Sequence, residues 1–225
     1  MRKLSIAIDG PAGAGKSSVS KILAGRLHYA YLDTGAMYRA VTYEVLTRKV
    51  EGEESIISMT EKLDMEVQPG EAGMEVFVDG KNVTPFIRTP EVSSKVSAVS
   101  AIGGVRKAMV VIQRKQAEKG GIVLDGRDIG TTVLPKADVK IFLTASVHTR
   151  ALRRFKEITE VHPEMTMEEV EKEISRRDYL DSHREISPLR KAEDAILLDN
   201  GDLTLEGTAE AIISICEKKF PGFDR

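Results

Sequence analysis

The strongest chemical signal in the chain is a glycine-rich segment close to its start. Residues 10–17 read Gly-Pro-Ala-Gly-Ala-Gly-Lys-Ser, which fits the phosphate-binding pattern G-x-x-x-x-G-K-[ST]. In such a loop the backbone N–H groups turn inward around a phosphate, because glycines place no Cβ in the way, and the next helix adds the positive end of its dipole. The triphosphate-binding residues that we expect are Gly10, Pro11, Ala12, Gly13, Ala14, Gly15, Lys16, Ser17 and Ser18.

Three side chains in and near this loop have distinct expected roles. Lys16 bridges phosphate groups, and the hydroxyl of Ser17 binds the Mg²⁺ that accompanies ATP. Residues 122–124 are apolar and lead into Asp125, whose carboxylate is placed to hold Mg²⁺ through water beside Ser17. The alternative is a glycine turn that contains Lys-Ser by chance, and the match at every motif position disfavours it.

A phosphate loop does not reveal whether the phosphoryl group passes to water or to an acceptor, so other charged clusters must decide. Residues 33–39 read Asp-Thr-Gly-Ala-Met-Tyr-Arg after an apolar strand, and residues 125–128 read Asp-Gly-Arg-Asp after another. Arg177, Asp181 and Arg184 fall at i, i+4 and i+7 of a predicted helix and therefore share one face. A salt-bridged turn and an ion-paired surface stripe are the alternatives for the last two clusters.

Two separated arginine clusters around a phosphate loop favour transfer between two anionic molecules. The transition state spreads negative charge over the equatorial phosphoryl oxygens, and positioned guanidinium groups stabilise that charge. An acceptor phosphate oxygen is already anionic, so no prominent general base is required. We therefore expect electrostatic roles for Lys16 and the arginines.

The elements that must position these residues alternate between strand and helix. Amphipathic helical patterns separate short apolar runs, and the first of these helices places Val19, Leu23 and Leu27 on one face. The runs that read as buried strands are residues 4–8, 29–32, 122–124, 139–143 and 195–198. This alternation predicts an α/β fold with a P-loop NTPase core, in which helices flank a parallel sheet.

One segment, residues 64–84, departs from that pattern. It holds short alternating runs separated by Pro69-Gly70 and by Asp79-Gly80, which are typical turn residues. The segment therefore predicts a small antiparallel β insertion within the α/β core.

The second half of the chain predicts a helical lid. Ser146 and Thr166 are candidate N-caps of two helices, and the C-terminal helix is expected to begin near Thr204. Arg150, Arg153 and Arg154 are spaced to face one side of the first helix, where they either neutralise triphosphate charge or remain solvated. His162-Pro163 follows in what reads as a mobile flap.

Composition limits the architecture and the partners. A chain of 225 residues is long enough for one domain with a sizeable core, and we treat residues 1–225 as one unit. The 33 Lys and Arg nearly balance the 35 Asp and Glu, which argues against a nucleic-acid partner. We find no signal-peptide pattern and no membrane-spanning run, so a cytoplasmic setting is expected, and Cys216 reads as a buried apolar residue.

Five segments, in order along nearly the whole chain, resemble bacterial cytidylate kinases, a family of nucleoside monophosphate kinases. They are residues 8–17, residues 33–39, the Ile-Arg-Thr-Pro-Glu-Val of residues 87–92, the Asp-Gly-Arg-Asp-Ile-Gly-Thr of residues 125–131, and the Arg-Arg-Asp-Tyr-Leu-Asp of residues 176–181. The resemblance implies transfer of the γ-phosphoryl group of ATP to CMP or dCMP. It also implies a monomer, an acceptor-binding region at about residues 35–105 and a lid at about residues 153–166.

The same resemblance implies a role for each matching residue. Lys16, Arg127 and Arg184 act in catalysis. The acceptor phosphate is held by Thr34, Arg39, Arg127 and Arg184, cytosine is read by Ser97, Arg106 and Asp128, and the sugar is gripped by Arg177 and Asp181. An arginine and a carboxylate suit cytosine chemically, since the base offers acceptors at N3 and O2 and a donor at N4.

The sequence leaves two other functions as alternatives. A kinase for another mononucleotide or small metabolite has the same core, and the pair Arg106 and Asp128 argues against it. A GTP-hydrolysing switch protein is the second, but such a protein needs a guanine-reading motif of the N-K-x-D type, which the sequence lacks.

Overall fold

The computed structural model describes residues 2–70, 73–159 and 164–224. Its strands are β1 (Ser5–Asp9), β2 (Ala30–Asp33), β3 (Met65–Gly70), β4 (Gly73–Val78), β5 (Lys81–Asn82), β6 (Ile122–Gly126), β7 (Val139–Thr144) and β8 (Ile196–Asp199). Its helices are α1 (Lys16–Leu27), α2 (Thr34–Thr47), α3 (Glu53–Lys62), α4 (Pro90–Ala101), α5 (Gly103–Ala117), α6 (Val147–Thr159), α7 (Met167–His183) and α8 (Leu205–Lys219). A π-helical turn, Ile129–Val133, follows β6.

Five strands form one parallel sheet in the order β2-β6-β1-β7-β8. All five were predicted from the sequence, and their observed limits lie close to the predicted ones. Because the strands are parallel, their carboxyl ends meet at one edge of the sheet, and Asp33 stands directly opposite Asp125 there. The sheet therefore brings the predicted chemical residues to a common edge.

Side chains alternate along the central strand and so define a core on each face of the sheet. Ile6 and Ile8 pack in a cluster with α1 and α8, which also contains the buried Cys216, as predicted. Ala7 belongs to the opposite cluster, with α2, α5 and the small sheet. Full burial of each large aliphatic side chain contributes about 1.5–3 kcal/mol, so the two layers stabilise the sheet that carries the site.

The predicted β insertion is present as an antiparallel sheet in the order β3-β4-β5. Asp79 and Gly80 form the second turn with φ of 49° and 75°, a left-handed pair that suits a tight hairpin. The prediction of a turn at Pro69-Gly70 was wrong. Both residues lie in β3, where Pro69 pairs with Met74, and the connection at 71–72 lies outside the described residues.

The helical caps agree with the sequence. Thr166 and Glu169 form a reciprocal capping box at the start of α7, the Ser146 hydroxyl accepts from the Thr149 N–H at 3.0 Å, and Thr204 caps α8. Residues 153–159 of the expected lid continue α6, whereas residues 160–163, which include His162-Pro163, lie outside the described residues.

In the described ranges no single helix is long and apolar enough to cross a membrane, although α4 and α5, bent by 94°, meet the length and composition required when taken together.

Candidate active site

The phosphate loop joins β1 to α1 at the carboxyl edge of the sheet. Gly13 and Gly15 have φ of 73° and 81°, a region that favours glycine because it lacks a Cβ. At Gly10 a Cβ would lie 2.0 Å from the Leu143 carbonyl oxygen, so this glycine lets β7 pass close by. Gly10, Pro11 and Ala14 are absent from the described cavity lining, and their contact with phosphate stays a prediction.

Lys16 is buried at the base of the loop. Its Nζ donates to the Pro11 carbonyl oxygen at 2.8 Å, which fixes the ammonium group within the loop. Burial lowers the pKa of Lys16, and the positive charge of Arg127 lowers it further. Binding of phosphate oxygens would stabilise the buried ammonium group, because their negative charge compensates for the hydration that the group loses on burial.

Ser17 and Asp125 form the expected pair beside the loop. The Ser17 hydroxyl donates to Asp125 Oδ2 at 2.9 Å, and the Tyr31 hydroxyl donates to Asp125 Oδ1 at 2.8 Å. Burial raises the pKa of Asp125, and the nearby Asp33 carboxylate adds to that effect. A hydroxyl and a buried carboxylate are hard oxygen donors, so these residues fit Mg²⁺.

A cavity of about 620 Å³ opens from the phosphate loop and extends between the sheet edge, α4 and α7. The predicted residues that line it on the loop side are Ala12, Gly13, Gly15, Lys16, Ser17 and Ser18. On the other side they are Thr34, Arg39, Ser97, Arg106, Arg127, Asp128, Arg177, Asp181 and Arg184. The fold therefore brings all the predicted acceptor residues into the same cavity as the loop.

Arg106 and Asp128 form a buried ion pair in the wall of this cavity. Arg106 Nη2 donates to Asp128 Oδ2 at 2.6 Å, and Nη1 donates to the Ser100 carbonyl oxygen at 3.0 Å. The guanidinium carbon lies 5.1 Å from the centre of the Tyr38 ring, in a cation–π arrangement. These contacts hold both charged groups in fixed orientations, as a base-reading pair requires.

A second group of charges surrounds Asp181. Arg127 Nε donates to Asp181 Oδ2 at 2.7 Å. Burial by itself would raise the pKa of Asp181, but the charge and hydrogen bond of Arg127 hold it below its ordinary value. Burial lowers the pKa of Arg177, and Arg127 lowers it further, so this side of the cavity carries closely spaced positive charge.

Arg184 differs from the sequence-based prediction in its local structure. It was expected within α7, on the same face as Arg177 and Asp181, but the helix ends at His183 and Arg184 is its C-cap, with an extended backbone at φ −63° and ψ 143°. Its Nε donates to the Ser187 carbonyl oxygen at 2.7 Å, and its Nη2 lies 3.6 Å from Asp128 Oδ1. The turn after the helix thus directs the guanidinium toward the base-reading pair.

Thr34 and Arg39 lie in the first two turns of α2. The Thr34 hydroxyl donates to the Asp125 carbonyl oxygen at 2.8 Å, and Arg39 Nη1 donates to Ser93 Oγ at 2.8 Å. Burial and, to a lesser extent, the positive charges of Arg177 and Arg88 together lower the pKa of Arg39 to about 9. A doubly negative phosphate group would bind favourably here, because its charge would compensate the repulsion among the arginines.

The three arginines of the lid helix have separate positions. Arg153 and Arg154 line the cavity, and Arg153 Nη2 donates to the Asn200 carbonyl oxygen at 2.7 Å. Arg150 instead lies buried beneath the phosphate loop, where its Nη1 donates to the Ala12 carbonyl oxygen at 2.8 Å. The helical spacing groups these residues, but packing against the loop removes Arg150 from the cavity.

Sequence reasoning missed four residues that shape the site. Asp9 accepts from the N–H groups of Ile129 and Gly130, and Arg88 donates to Asp33 Oδ2 at 2.7 Å. The other two are Tyr31, which bonds Asp125, and Asp178, which bonds the Ala12 N–H. Asp9, Arg88 and Asp178 lie within the motif segments. A charged residue next to a predicted site residue was therefore the feature of the sequence that could have identified them.

A loop that cradles phosphate and opens onto an arginine-lined cavity provides for a phosphoryl donor and an anionic acceptor, which defines the chain as a P-loop kinase. A solved structure with this fold is shikimate kinase from Acinetobacter baumannii in complex with shikimate. It is 17% identical, has a TM-score of 0.51, and the match covers 97% of this chain and 96% of that one. At this identity the likeness shows the fold alone.

Sequence comparison is more specific. The family model described as cytidylate kinase matches residues 6–218. A cytidylate kinase of Enterococcus faecalis is 52% identical over 100% of this chain and 99% of that protein. Another, of Carboxydothermus hydrogenoformans, is 51% identical over 96% of this chain and 98% of that protein. The chain belongs to the cytidylate kinase family, as its motifs predicted.

Proposed function

We propose that the chain transfers the γ-phosphoryl group of ATP to CMP or dCMP, giving ADP and CDP or dCDP, through the residues of the arginine-lined cavity. One observation carries the assignment of these residues. Within the described part of the chain, Arg106 Nε, Arg177 Nε and Arg184 Nη2 are buried without a hydrogen-bond acceptor. An unsatisfied buried donor costs roughly 1–3 kcal/mol, which an acceptor-rich anionic ligand would recover.

The base is selected by the buried pair. Asp128 accepts from the N4 amino group of cytosine, and Arg106 donates to the N3 or O2 acceptors. Uracil carries an acceptor at O4 and a donor at N3, so Asp128 would face a group of the wrong kind, and so would Arg106 where it contacts N3. Ser97 lines the same cavity and completes the base site.

The transfer itself is a matter of position and charge. An oxygen of the acceptor phosphate, held by Thr34, Arg39 and Arg127, forms a bond to the γ-phosphorus. The bond from that phosphorus to the bridging oxygen breaks, and ADP leaves with the electron pair. Lys16, Arg127 and Arg184 stabilise the negative charge of the transition state, and no side chain needs to remove a proton.

Ser17, with Asp125 beside it, would hold the Mg²⁺ that enters with ATP, and the bound cation would supply positive charge to offset that of the triphosphate. Arg177 and Asp181 grip the sugar of the acceptor. We further propose that the chain is a single kinase domain, acts on small molecules, is a monomer and is located in the cytoplasm. Light scattering tests the monomer, and cell fractionation tests the location.

The first experiment is a coupled assay of nucleoside diphosphate formation with ATP, Mg²⁺ and each of CMP, dCMP, UMP, AMP and GMP. We expect kcat/KM to be highest for CMP and dCMP. Asp128→Ala should lower the value for CMP roughly a hundredfold and that for UMP far less, because a hydrogen bond to a charged group is worth about 1.5–3 kcal/mol. Glu118→Ala, an exposed carboxylate after α5, is the control.

Equal activity on all five acceptors would contradict the assignment of base reading, and an equal loss on every acceptor in Asp128→Ala would show that Asp128 does not read the base. A slow rate of nucleotide hydrolysis that does not change when a nucleoside monophosphate is added would instead favour a switch protein.

A further inference from the structure

One peptide unit of the phosphate loop is held on both sides by helices α6 and α7. The Ala12 N–H donates to Asp178 Oδ1 at 3.0 Å, and Arg150 Nη1 donates to the Ala12 carbonyl oxygen at 2.8 Å. The same Arg150 nitrogen donates to Asp178 Oδ2 at 2.6 Å, while its Nε donates to the Ala145 carbonyl oxygen at 2.9 Å. Asp178 of α7 and Arg150 of α6 therefore fix the orientation of the Ala12 backbone.

The contact is tight and largely removed from water. The side chain of Arg150 is 5% exposed and that of Asp178 is 21% exposed. A Cβ on Gly13 would lie 3.1 Å from the Arg150 Cβ and 3.4 Å from Ile174 Cδ1, so both helices pack directly on the loop. Because protein interiors transmit displacement, a shift of α7 relative to the loop must break these bonds or move the loop.

The neighbours of Asp178 on α7 belong to the acceptor cavity. Arg177 and Asp181, one residue before and three residues after it, both line that cavity, whereas Asp178 points to the phosphate loop. A single helical turn thus lines the cavity on one side and contacts the phosphate loop on the other.

We propose that Asp178 is a positioning residue that couples the two substrate sites. When the acceptor engages Arg177 and Asp181, it fixes α7, and Asp178 with Arg150 then holds the Ala12 peptide in the conformation that binds triphosphate. Acceptor binding therefore strengthens donor binding, and by linkage donor binding strengthens acceptor binding by the same factor. The inference rests on the proposed function, since it takes Arg177 and Asp181 as acceptor contacts.

The test is a coupling measurement by titration calorimetry. The Kd of a non-hydrolysable ATP analogue with Mg²⁺ is measured with and without saturating CMP, and the ratio of the two values is the coupling factor. We expect the wild-type protein to show a factor of about 5 or more, within the usual range for coupled sites. In Asp178→Ala the factor should fall to about 1, while the Kd for CMP alone changes by less than about twofold, because Asp178 lies outside the cavity lining.

Two further variants separate coupling from general damage. Arg150→Lys keeps one positive charge but cannot bond the Ala12 carbonyl, the Ala145 carbonyl and Asp178 together, so it should also reduce the factor. Glu171→Gln is the matched control, because Glu171 Oε1 contacts His148 Nδ1 at 2.7 Å and links the same two helices at the exposed side. Its coupling factor should equal that of the wild type.

A wild-type factor of 1, or a factor that survives in Asp178→Ala, overturns the proposal. If Asp178→Ala does not fold, the coupling factor is measured in Arg150→Lys instead, and a factor equal to that of the wild type overturns the proposal. These outcomes are separate from the acceptor assay, since a preference for CMP can persist without coupling, and failure of CMP to bind at all would overturn the proposed function first.

Discussion

Asp9, the last residue of β1, accepts the N–H of Gly130 at 2.7 Å with one carboxylate oxygen, and its other oxygen accepts the N–H of Ile129 at 2.8 Å. The two donors lie in the π-helical turn that follows Asp128. The strand that carries the phosphate loop is thereby tied to the turn that carries the base-reading carboxylate, although 120 residues separate them.

This tie predicts a pH dependence of stability. Burial raises the pKa of Asp9 from 3.8 to about 6, and the two backbone N–H groups only partly offset that effect. The folded state therefore takes up a proton at higher pH than the unfolded state. The free energy of unfolding should rise by roughly 1 kcal/mol from this residue as the pH falls from 7 to 5.

Urea unfolding of the wild type and of Asp9→Asn at pH 7 and pH 5 isolates this contribution. The wild type should gain roughly 1 kcal/mol more than the variant on acidification, because asparagine does not titrate. An identical change in both proteins would mean that Asp9 has an ordinary pKa.

Gly10 predicts a large effect on stability. A Cβ at this position would meet the Leu143 carbonyl oxygen at 2.0 Å, and the φ of 152° is rare for other residues. Gly10→Ala should therefore lower the free energy of unfolding by at least ~2 kcal/mol, since strand β7 would have to move.

Gly25 provides the control for that substitution. It lies in α1 with nothing within 4 Å of an added Cβ, so Gly25→Ala should raise the free energy of unfolding by ~0.5–1 kcal/mol. Thermal or urea unfolding of both variants gives the comparison, and a destabilisation shared equally by the two would contradict the packing argument.

Lys16→Ala predicts a loss in the chemical step rather than in acceptor binding. The ammonium group is held by the Pro11 carbonyl oxygen within the donor loop. Single-turnover rates should fall at least ~100-fold, while the Kd for CMP changes little. Lys107→Ala, an exposed residue of α5, should keep both values, and an unchanged rate in Lys16→Ala would refute the proposed mechanism.

Arg184→Ala predicts a different pattern, with weaker acceptor binding as well as slower turnover. In the described structure its Nη2 is buried, has no hydrogen-bond partner and lies 3.6 Å from Asp128. This nitrogen can therefore donate a hydrogen bond to bound CMP. We expect the KM for CMP to rise and kcat to fall, each by about tenfold or more. Arg190→Ala, which is exposed, is the control; an effect on kcat alone would remove Arg184 from the acceptor contacts.

Much of this molecule was predictable from local sequence. The pattern at residues 10–17, the apolar runs and the caps Thr166 and Thr204 gave the loop, the five parallel strands and the starts of α7 and α8. These features depend on residues that are near in the chain, where periodicity and backbone preferences act directly. The resemblance carried by five short motifs then predicted the family.

Other features depended on contacts between distant segments. Nothing local indicates that Arg150 turns under the phosphate loop while Arg153 and Arg154 face the cavity, or that Pro69-Gly70 continues a strand. The orientation of a long charged side chain is decided by which partners the packed helices bring within reach, and those partners come from elsewhere in the chain.

The sequence by itself therefore determined the chemistry, since residue type and spacing define a phosphate loop and a set of arginines. Only the tertiary structure decided how these groups act together, as in the bonds of Asp9 to the turn after Asp128 and of Asp178 to Ala12. The physical reason is that a buried polar group must find its partner inside the fold, and long-range packing determines which group lies within hydrogen-bond distance.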